Sequence, residues 1–453
     1  MATLLPPNQA MLQHVSSRLV PSLIHCSLVC VLFTAASLTL VSFVVAQSQD
    51  TPSQDTLLQS VDPSTLTGKV MSGYQGWFRA PGDGSNRGWV HYGRNFGPEN
   101  YAAIEMWPDM TEMDEDEKYP TAFRHEDGSV AHVFSSRNRK TVARHFEWME
   151  KYGTDGVFLQ RFIGLTRNAA SQNDYNAVMD NVRYGADKHN RAWAMMYDLT
   201  GGRPGDLMGT LVEDWKKLVD DHKIREDRMY LHHNGKPVVS IWGIGFNDNR
   251  RYSLEECLEL ITFLKDDPQY GGNTVKIGVP TFWRTLDRDA LPDPILHEIA
   301  KKADIVSPWT VGRYHNPQEA AYHIRRVAAA DLAWCKENEI EYMPVVFPGF
   351  SWYNLYMGRN QPHRAHSNLI PRLKGEFLST QLSHHKDNGV TMIYQAMFDE
   401  IDEATALFKV SNNPPVGGVN KFLDMEGLPS DFYLELLGNA AKELKQRVVA
   451  DNK

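Results

Sequence analysis

Short apolar runs alternate along this chain with longer stretches in which apolar residues recur every three or four positions. The runs Val70–Trp77, Gly156–Phe162, Trp193–Asp198, Pro237–Trp242, Val275–Thr281, Ile305–Trp309, Tyr342–Phe347 and Val390–Phe398 have strand composition. Between them, Thr141–Tyr152, Asp174–His189, Leu207–Asp221, Leu254–Lys265, Pro292–Ala303, Pro317–Glu337 and Leu373–Lys386 have helical spacing, and Asp431–Val448 makes a terminal helix after Ser430. Asn316-Pro317 is a cap followed by proline at the first helical position, Ser253-x-x-Glu256 is a capping box, and Gly153 closes the first helix. Eight strands, each followed by a helix, predict an α/β fold of the (β/α)8 TIM-barrel type. A doubly wound open sheet would place a glycine-rich phosphate turn after its first strand, and Gly73-Tyr74-Gln75-Gly76-Trp77 is a poor one.

Two segments break this rhythm. Residues 78–136 fit no single helix; they carry Pro81-Gly82-Asp83-Gly84, a strand-like stretch Ala102–Trp107 and the acidic stretch Asp109–Glu117. They read as an insertion after the first strand, folded over the barrel mouth, where barrels acquire specificity. The first 46 residues hold a single charged Lys or Arg, Arg18, and a dense apolar run from Leu28 to Val45. This is the pattern of a secretory signal, with residues 47–65 as a flexible polar leader. The run is also long enough to cross a bilayer, so an uncleaved anchor is the alternative, and membrane attachment would be through this segment alone. A secreted or periplasmic protein with one catalytic domain over residues 66–448 is the economical reading.

Charge and composition narrow the function. The net charge of −9 becomes −10 when Arg18 is removed with the leader, and no basic stripe points to nucleic acid. Cys26 and Cys30 lie in the leader, which leaves Cys257 and Cys335, on two helices, as buried thiols or a single disulfide. No Cys/His spacing suggests zinc, His232-His233 and His384-His385 read as surface residues, and no cofactor is implied.

Aromatic content is generous, at 11 Trp and 18 Tyr, and its placement matters more than its amount. At or just beyond the predicted strand ends lie Tyr74, Gln75 and Trp77; Gln160 and Arg161; Tyr197 and Asp198; Trp242; Trp283; Trp309; and Trp352. Aromatic faces stack on sugar rings, and amides, acids and guanidinium groups bind hydroxyls, so this set reads as a binding surface for an oligosaccharide or polysaccharide. The last strand then runs into Asp399, Glu400, Asp402 and Glu403. Glu400 and Glu403 are three apart, which on a helical turn brings their Cβ atoms to about 5–6 Å, close to the carboxyl separation of retaining glycosidases. The same four acids could instead hold a hard cation in a metal-dependent hydrolase, or survive in a sugar-binding barrel without activity.

At these residues the chain resembles a bacterial branch related to glycoside hydrolase families 71 and 99, endo-acting α-mannosidases and α-glucanases on a (β/α)8 barrel. The resemblance covers most of residues 68–445. It rests on Ser72-Gly73-Tyr74-Gln75-Gly76-Trp77-Phe78, on His145-Phe146-Glu147-Trp148-Met149 and Asp155-Gly156-Val157-Phe158-Leu159-Gln160-Arg161-Phe162, on Gly235-Lys236-Pro237-Val238-Val239, and on the acidic signature. That signature reads Asn-Glu-Trp-His-Glu-Gly-Thr in family 99 and Asp399-Glu400-Ile401-Asp402-Glu403-Ala404-Thr405 here, so both glutamates and the threonine match. The resemblance implies Glu403 as general acid/base and Glu400 as the second carboxylate, acting on the substrate's own 2-hydroxyl with net retention. Asp399 stands where that family has Asn, and Ile401-Asp402 replaces Trp-His.

Overall fold

The computed structural model describes residues 61–451. The proposed signal or anchor, and residues 47–60 of the leader, lie outside the described residues. Residues 61–65 are packed: Val61 is buried, the Pro63 carbonyl accepts from the His232 N–H, and Thr65 meets His233.

Eight parallel strand segments build the barrel: β1 Lys69–Tyr74, β2 Gly156–Phe162, β3 Ala192–Asp198, β4 Lys236–Trp242, β5 Thr274–Val279, β6 Ile305–Pro308, β7 in two pieces, Glu341–Tyr342 and Val345–Val346, and β8 Met392–Gln395. Neighbours pair in sequence order, and β1 pairs with both β2 and β8. The break in β7 falls at Met343-Pro344, where proline has no N–H to give. Its first piece pairs with β6 and its second with β8, so this split strand completes the ring. Nearly every residue of β1, β2, β3 and β5 is buried, which is why their sequences are unbroken runs and do not alternate.

The helices lie outside the ring in the expected order. Asn138 accepts from two N–H groups at the start of Arg139–Tyr152, and Gly153 ends it in the left-handed conformation. Both Ser253/Glu256 and Asn316 cap as the sequence predicts. The helical stretch 317–337 passes through a π-type turn at Ile324–Ala328. Among the described residues no helix is long and apolar enough to cross a membrane.

Several local expectations change. Ala102–Trp107 forms no strand; Met106 makes an isolated bridge to Leu423. His233 and His385, read as surface residues, are buried: His233 accepts from the Leu66 N–H and meets Glu341, and burial pushes the His385 imidazole down to about 3. Cys257 and Cys335 are both buried and free. The barrel interior is partly polar: the Lys276 ammonium lies 4.6 Å over the Tyr394 ring and 5.1 Å over Phe158, with Ser240 at 3.5 Å. Burial without a carboxylate pushes that amine down to about 7.

Candidate active site

The loop after β8 carries the acids. It is a tight turn and not the helical turn that the spacing suggested: residues 401–404 are turn, and Ala404 has φ 55°, in the left-handed region. Backbone bonds fix it from several sides. Phe398 N–H donates to the Gly73 carbonyl at 2.7 Å, Glu105 N–H to the Ile401 carbonyl at 2.8 Å, and Ser351 N–H to the Glu403 carbonyl at 3.0 Å. The buried Arg372 donates to the carbonyls of Ala404 and Ala406. Gly73 is required here, since a Cβ would lie 2.1 Å from the Tyr394 hydroxyl and 2.3 Å from the Met397 side chain.

The four carboxylates do different work. Asp399, expected to bind substrate, is fully buried and accepts from the N–H groups of Gln75 and Gly76 at 2.7 and 2.9 Å, so it clamps the exit of β1. Burial lifts its carboxyl to about 7 against those two bonds. Glu400, 5% exposed, accepts on both oxygens: from the Gln75 amide and from the Thr405 hydroxyl, each at 2.7 Å. Asp402 faces His91 at 3.2 Å. Glu403 opens into a cavity of about 790 Å3 shared with Trp77, His91, Arg94, Tyr101 and Arg359. Burial, and then the fields of Glu403 and Asp402, raise Glu400 well above the ordinary carboxylate range. Burial and then Asp402 raise Glu403 to about 7. The Trp352 indole, close to Glu403 without completing a hydrogen bond, and Arg359 pull the other way.

A metal site at this cluster would need converging oxygens, and the geometry does not supply them. Among the described residues the one group of three acids with ligand atoms close enough is Asp114, Asp116 and Glu117, which is held by Lys140 and Arg144.

The aromatic and polar ring expected from the sequence divides into two sets. Of Gln75, Gln160, Asp198, Trp242, Trp309 and Trp352, Gln75 meets Glu400 and Trp352 lies beside Glu403, and none of the six lines the cavity shared with Glu403. Trp242 and Trp309 meet edge to face at 5.3 Å, and Trp309 meets Tyr394 at 6.5 Å. Gln75 Oε1, Gln160 Oε1 and the indole nitrogens of Trp242 and Trp352 are buried without protein partners, as are Trp283 Nε1 and His145 Nε2 in the helix layer. Burial raises the Asp198 carboxyl, which accepts from the Thr200 N–H.

Tyr74, Arg161, Tyr197 and Trp283, also expected to bind substrate, point outward into the helix layer. Tyr74 bonds His145 at 2.8 Å; Arg161 forms a two-pronged pair with Asp214 at 2.6 Å, and the Tyr197 hydroxyl donates to the same carboxylate at 2.7 Å. Trp283 is fully buried against Trp334, at 4.9 Å. For Tyr74, Arg161 and Tyr197 the reason is the strand period, since residues next to each other on a strand face opposite ways; Trp283 lies on the turn after β5. Trp77 lines the cavity but has no free face, since His91 stacks on it at 3.7 Å and Phe162 at 5.4 Å. Sequence reasoning missed His91, Arg94, Glu105 and Arg359, all on segments without periodicity. Glu105 is fully buried, bonds Ser351 and the Leu355 N–H, and is pushed up to about 7 by burial.

Comparison with known proteins agrees on the fold. No family model and no curated protein matches the chain. Two solved structures of the GH99 endo-α-mannosidase from Bacteroides thetaiotaomicron superpose on it, one of them in complex with BIS-TRIS-propane. They give TM-scores of 0.59 and 0.56 at 15% identity, each covering 85% of this chain and 100% of the other. The chain has the fold of these glycoside hydrolases.

Proposed function

We propose that the protein is a glycoside hydrolase that cleaves an α-linked oligo- or polysaccharide with retention, using Glu400 and Glu403. One observation carries the reading. Two glutamates on the loop after β8 have opposite hydrogen-bonding states, Glu400 accepting on both oxygens and Glu403 open to the cavity. The donors aimed at both Glu400 oxygens oppose the rise that burial and its acidic neighbours impose and favour the carboxylate, which suits the group that works as base or at the sugar. A group that opens to the cavity with its carboxyl raised to about 7 suits the acid that protonates the leaving oxygen. The shared fold and the matching Glu400, Glu403 and Thr405 support the same assignment.

In this mechanism Glu403 donates its proton to the glycosidic oxygen as the bond breaks, while Glu400 takes the proton of the substrate's 2-hydroxyl, whose oxygen closes on the anomeric carbon. Glu403, now a carboxylate, then removes a proton from water as water opens that intermediate, and Glu400 returns its proton to the 2-oxygen. Both carboxyls end as they began, and two inversions give retention. The unpartnered amide and indole groups at the mouth supply the hydroxyl contacts.

Leaving-group dependence tests the roles. Glu403→Gln should lower turnover of poor leaving groups by about two to four orders of magnitude and spare an activated aryl glycoside in its first step. Glu400→Gln should damage both. The inverse pattern exchanges the roles, and small equal losses on every substrate defeat the reading. We further propose that the protein works outside the cytoplasm. Recovery of a mature chain beginning near residue 47 would support this, and an intact membrane-bound N-terminus would favour the anchor.

A further inference from the structure

The cavity in front of Glu403 holds two guanidinium groups, of which Arg359 also acts on the Glu403 carboxyl. Arg94 enters it from the insertion after β1, and Arg359 from the segment after β7. Neither guanidinium forms an ion pair or a hydrogen bond to a protein group among the described residues. Both are exposed, as are Arg203, Arg251 and Arg326, which also have no guanidinium partner, whereas Arg79, Arg144, Arg161, Arg167, Arg183 and Arg284 each hold a carboxylate. Arg359 is steadied without being neutralised, because its guanidinium lies 5.4 Å over the Tyr356 ring. Arg364 lies 4.3 Å over that same ring, outside the residues that line the cavity.

The acids of the cavity offset this charge only in part. Asp402 is engaged by His91, which also caps the face of Trp77. Burial and the field of Asp402 raise the Glu403 carboxyl to about 7. An excess of positive charge in the reaction cavity of a chain with net charge −9 runs against the average field of the molecule. A neutral glycan gains little from two unpaired guanidinium groups. A planar carboxylate or a tetrahedral phosphate or sulfate matches their paired N–H donors.

We propose that the glycan cut at this site carries an anionic substituent, bound by Arg94 and Arg359 in the cavity that Glu403 lines. This rests on the glycosidase reading above and names its substrate class. The shared chemistry is an oxyanion on a sugar near the scissile bond, and a uronic acid, a phosphate ester and a sulfate ester are the three sources.

The test uses α-linked oligosaccharides in matched pairs, each neutral compound set against its 6-carboxylate, 6-phosphate or 6-sulfate form, with the full-length protein. At least one charged form should exceed its neutral partner in kcat/KM by about tenfold or more at low salt, and the advantage should shrink as ionic strength rises. Arg94→Gln and Arg359→Gln should each pull that ratio severalfold toward one, with melting temperatures near the parent's. Arg326→Gln, an exposed position on the outer helix 317–337, should keep it. Equal or better cleavage of the neutral member in all three pairs overturns the proposal while leaving the glycosidase reading standing. A ratio that survives both substitutions also overturns it. If no glycan is turned over, the glycosidase reading fails, and calorimetric binding of the charged and neutral compounds to the parent protein then decides the anion site alone. Tighter binding of a charged form that Arg94→Gln abolishes upholds it, and equal binding overturns it.

Discussion

Two faces of the same strand ends behave differently. Gln160 and Arg161 are adjacent on β2 and both are buried, yet Arg161 is saturated by Asp214 on the helix side while Gln160 keeps a buried oxygen without a protein partner at the mouth. Tyr74 and Gln75 at the end of β1 repeat the division, while on β3 Tyr197 is held by Asp214 and Asp198 accepts from the Thr200 N–H. Burial alone therefore does not separate packing from recognition. Within these adjacent pairs the side chain on the helix side finds a charged or ring partner, but Trp283 Nε1 and His145 Nε2 in the same layer stay unpaired, so hydrogen bonding sorts the pairs and not the whole layer.

The sharpest way to break this comparison is to cut one member from each face. Asp214→Ala should leave Arg161 buried and uncompensated and destabilise the fold by about 3–5 kcal/mol, read from denaturant midpoints. Gln160→Ala should change stability by about 1 kcal/mol or less and lower kcat/KM by about tenfold. If the two variants lose stability equally, the division into a packing face and a binding face is wrong.

The tryptophans give the next contrast. Trp283→Ala removes a fully buried ring from the helix layer and should cost about 3–5 kcal/mol. Trp352→Ala, at the mouth and only partly buried, should cost far less stability and should weaken oligosaccharide binding measured by calorimetry. A large fall in melting temperature for Trp352→Ala would assign it to packing.

Smaller effects sharpen the site itself. Glu403 has its folded pKa raised to about 7, above the ordinary glutamate value near 4.3 in an unfolded chain. Its contribution to stability is thus fully present below the unfolded value and is lost as pH rises through about 7. Activity that needs the protonated acid should fall over the same limb. Glu403→Gln removes the titration, so its melting temperature should gain on the parent's by about 1–3 °C between pH 5 and pH 8. A constant difference across that range would show that Glu403 ionises normally.

The smallest effect concerns the turn. Ala404 holds φ 55°, a conformation that costs a side chain energy and costs glycine none. Ala404→Gly should stabilise by about 0.5–1 kcal/mol, seen as a higher denaturant midpoint with catalysis nearly unchanged. The glycine at this place in the family signature is the residue this geometry favours.

The order of strands and helices, the barrel class and the acidic loop after the last strand were all legible in the sequence. Each is a local signal: unbroken apolar runs, helical spacing, and caps such as Ser253 and Asn316 act over a few residues and survive in the structure. The sequence also placed Glu400 and Glu403 together on one loop. Only the tertiary structure decided which strand-end residues face the mouth, because a one-residue shift in where a strand ends reverses the side of every side chain beyond it. That is why Tyr74, Arg161 and Tyr197 turned outward, while Trp283 and Asp399 were placed by the turns that follow β5 and β8. His91, Arg94, Glu105 and Arg359 reach the site from aperiodic segments far apart in the chain. Their meeting is a product of long-range closure around the barrel, for which no spacing in the sequence carries a signal.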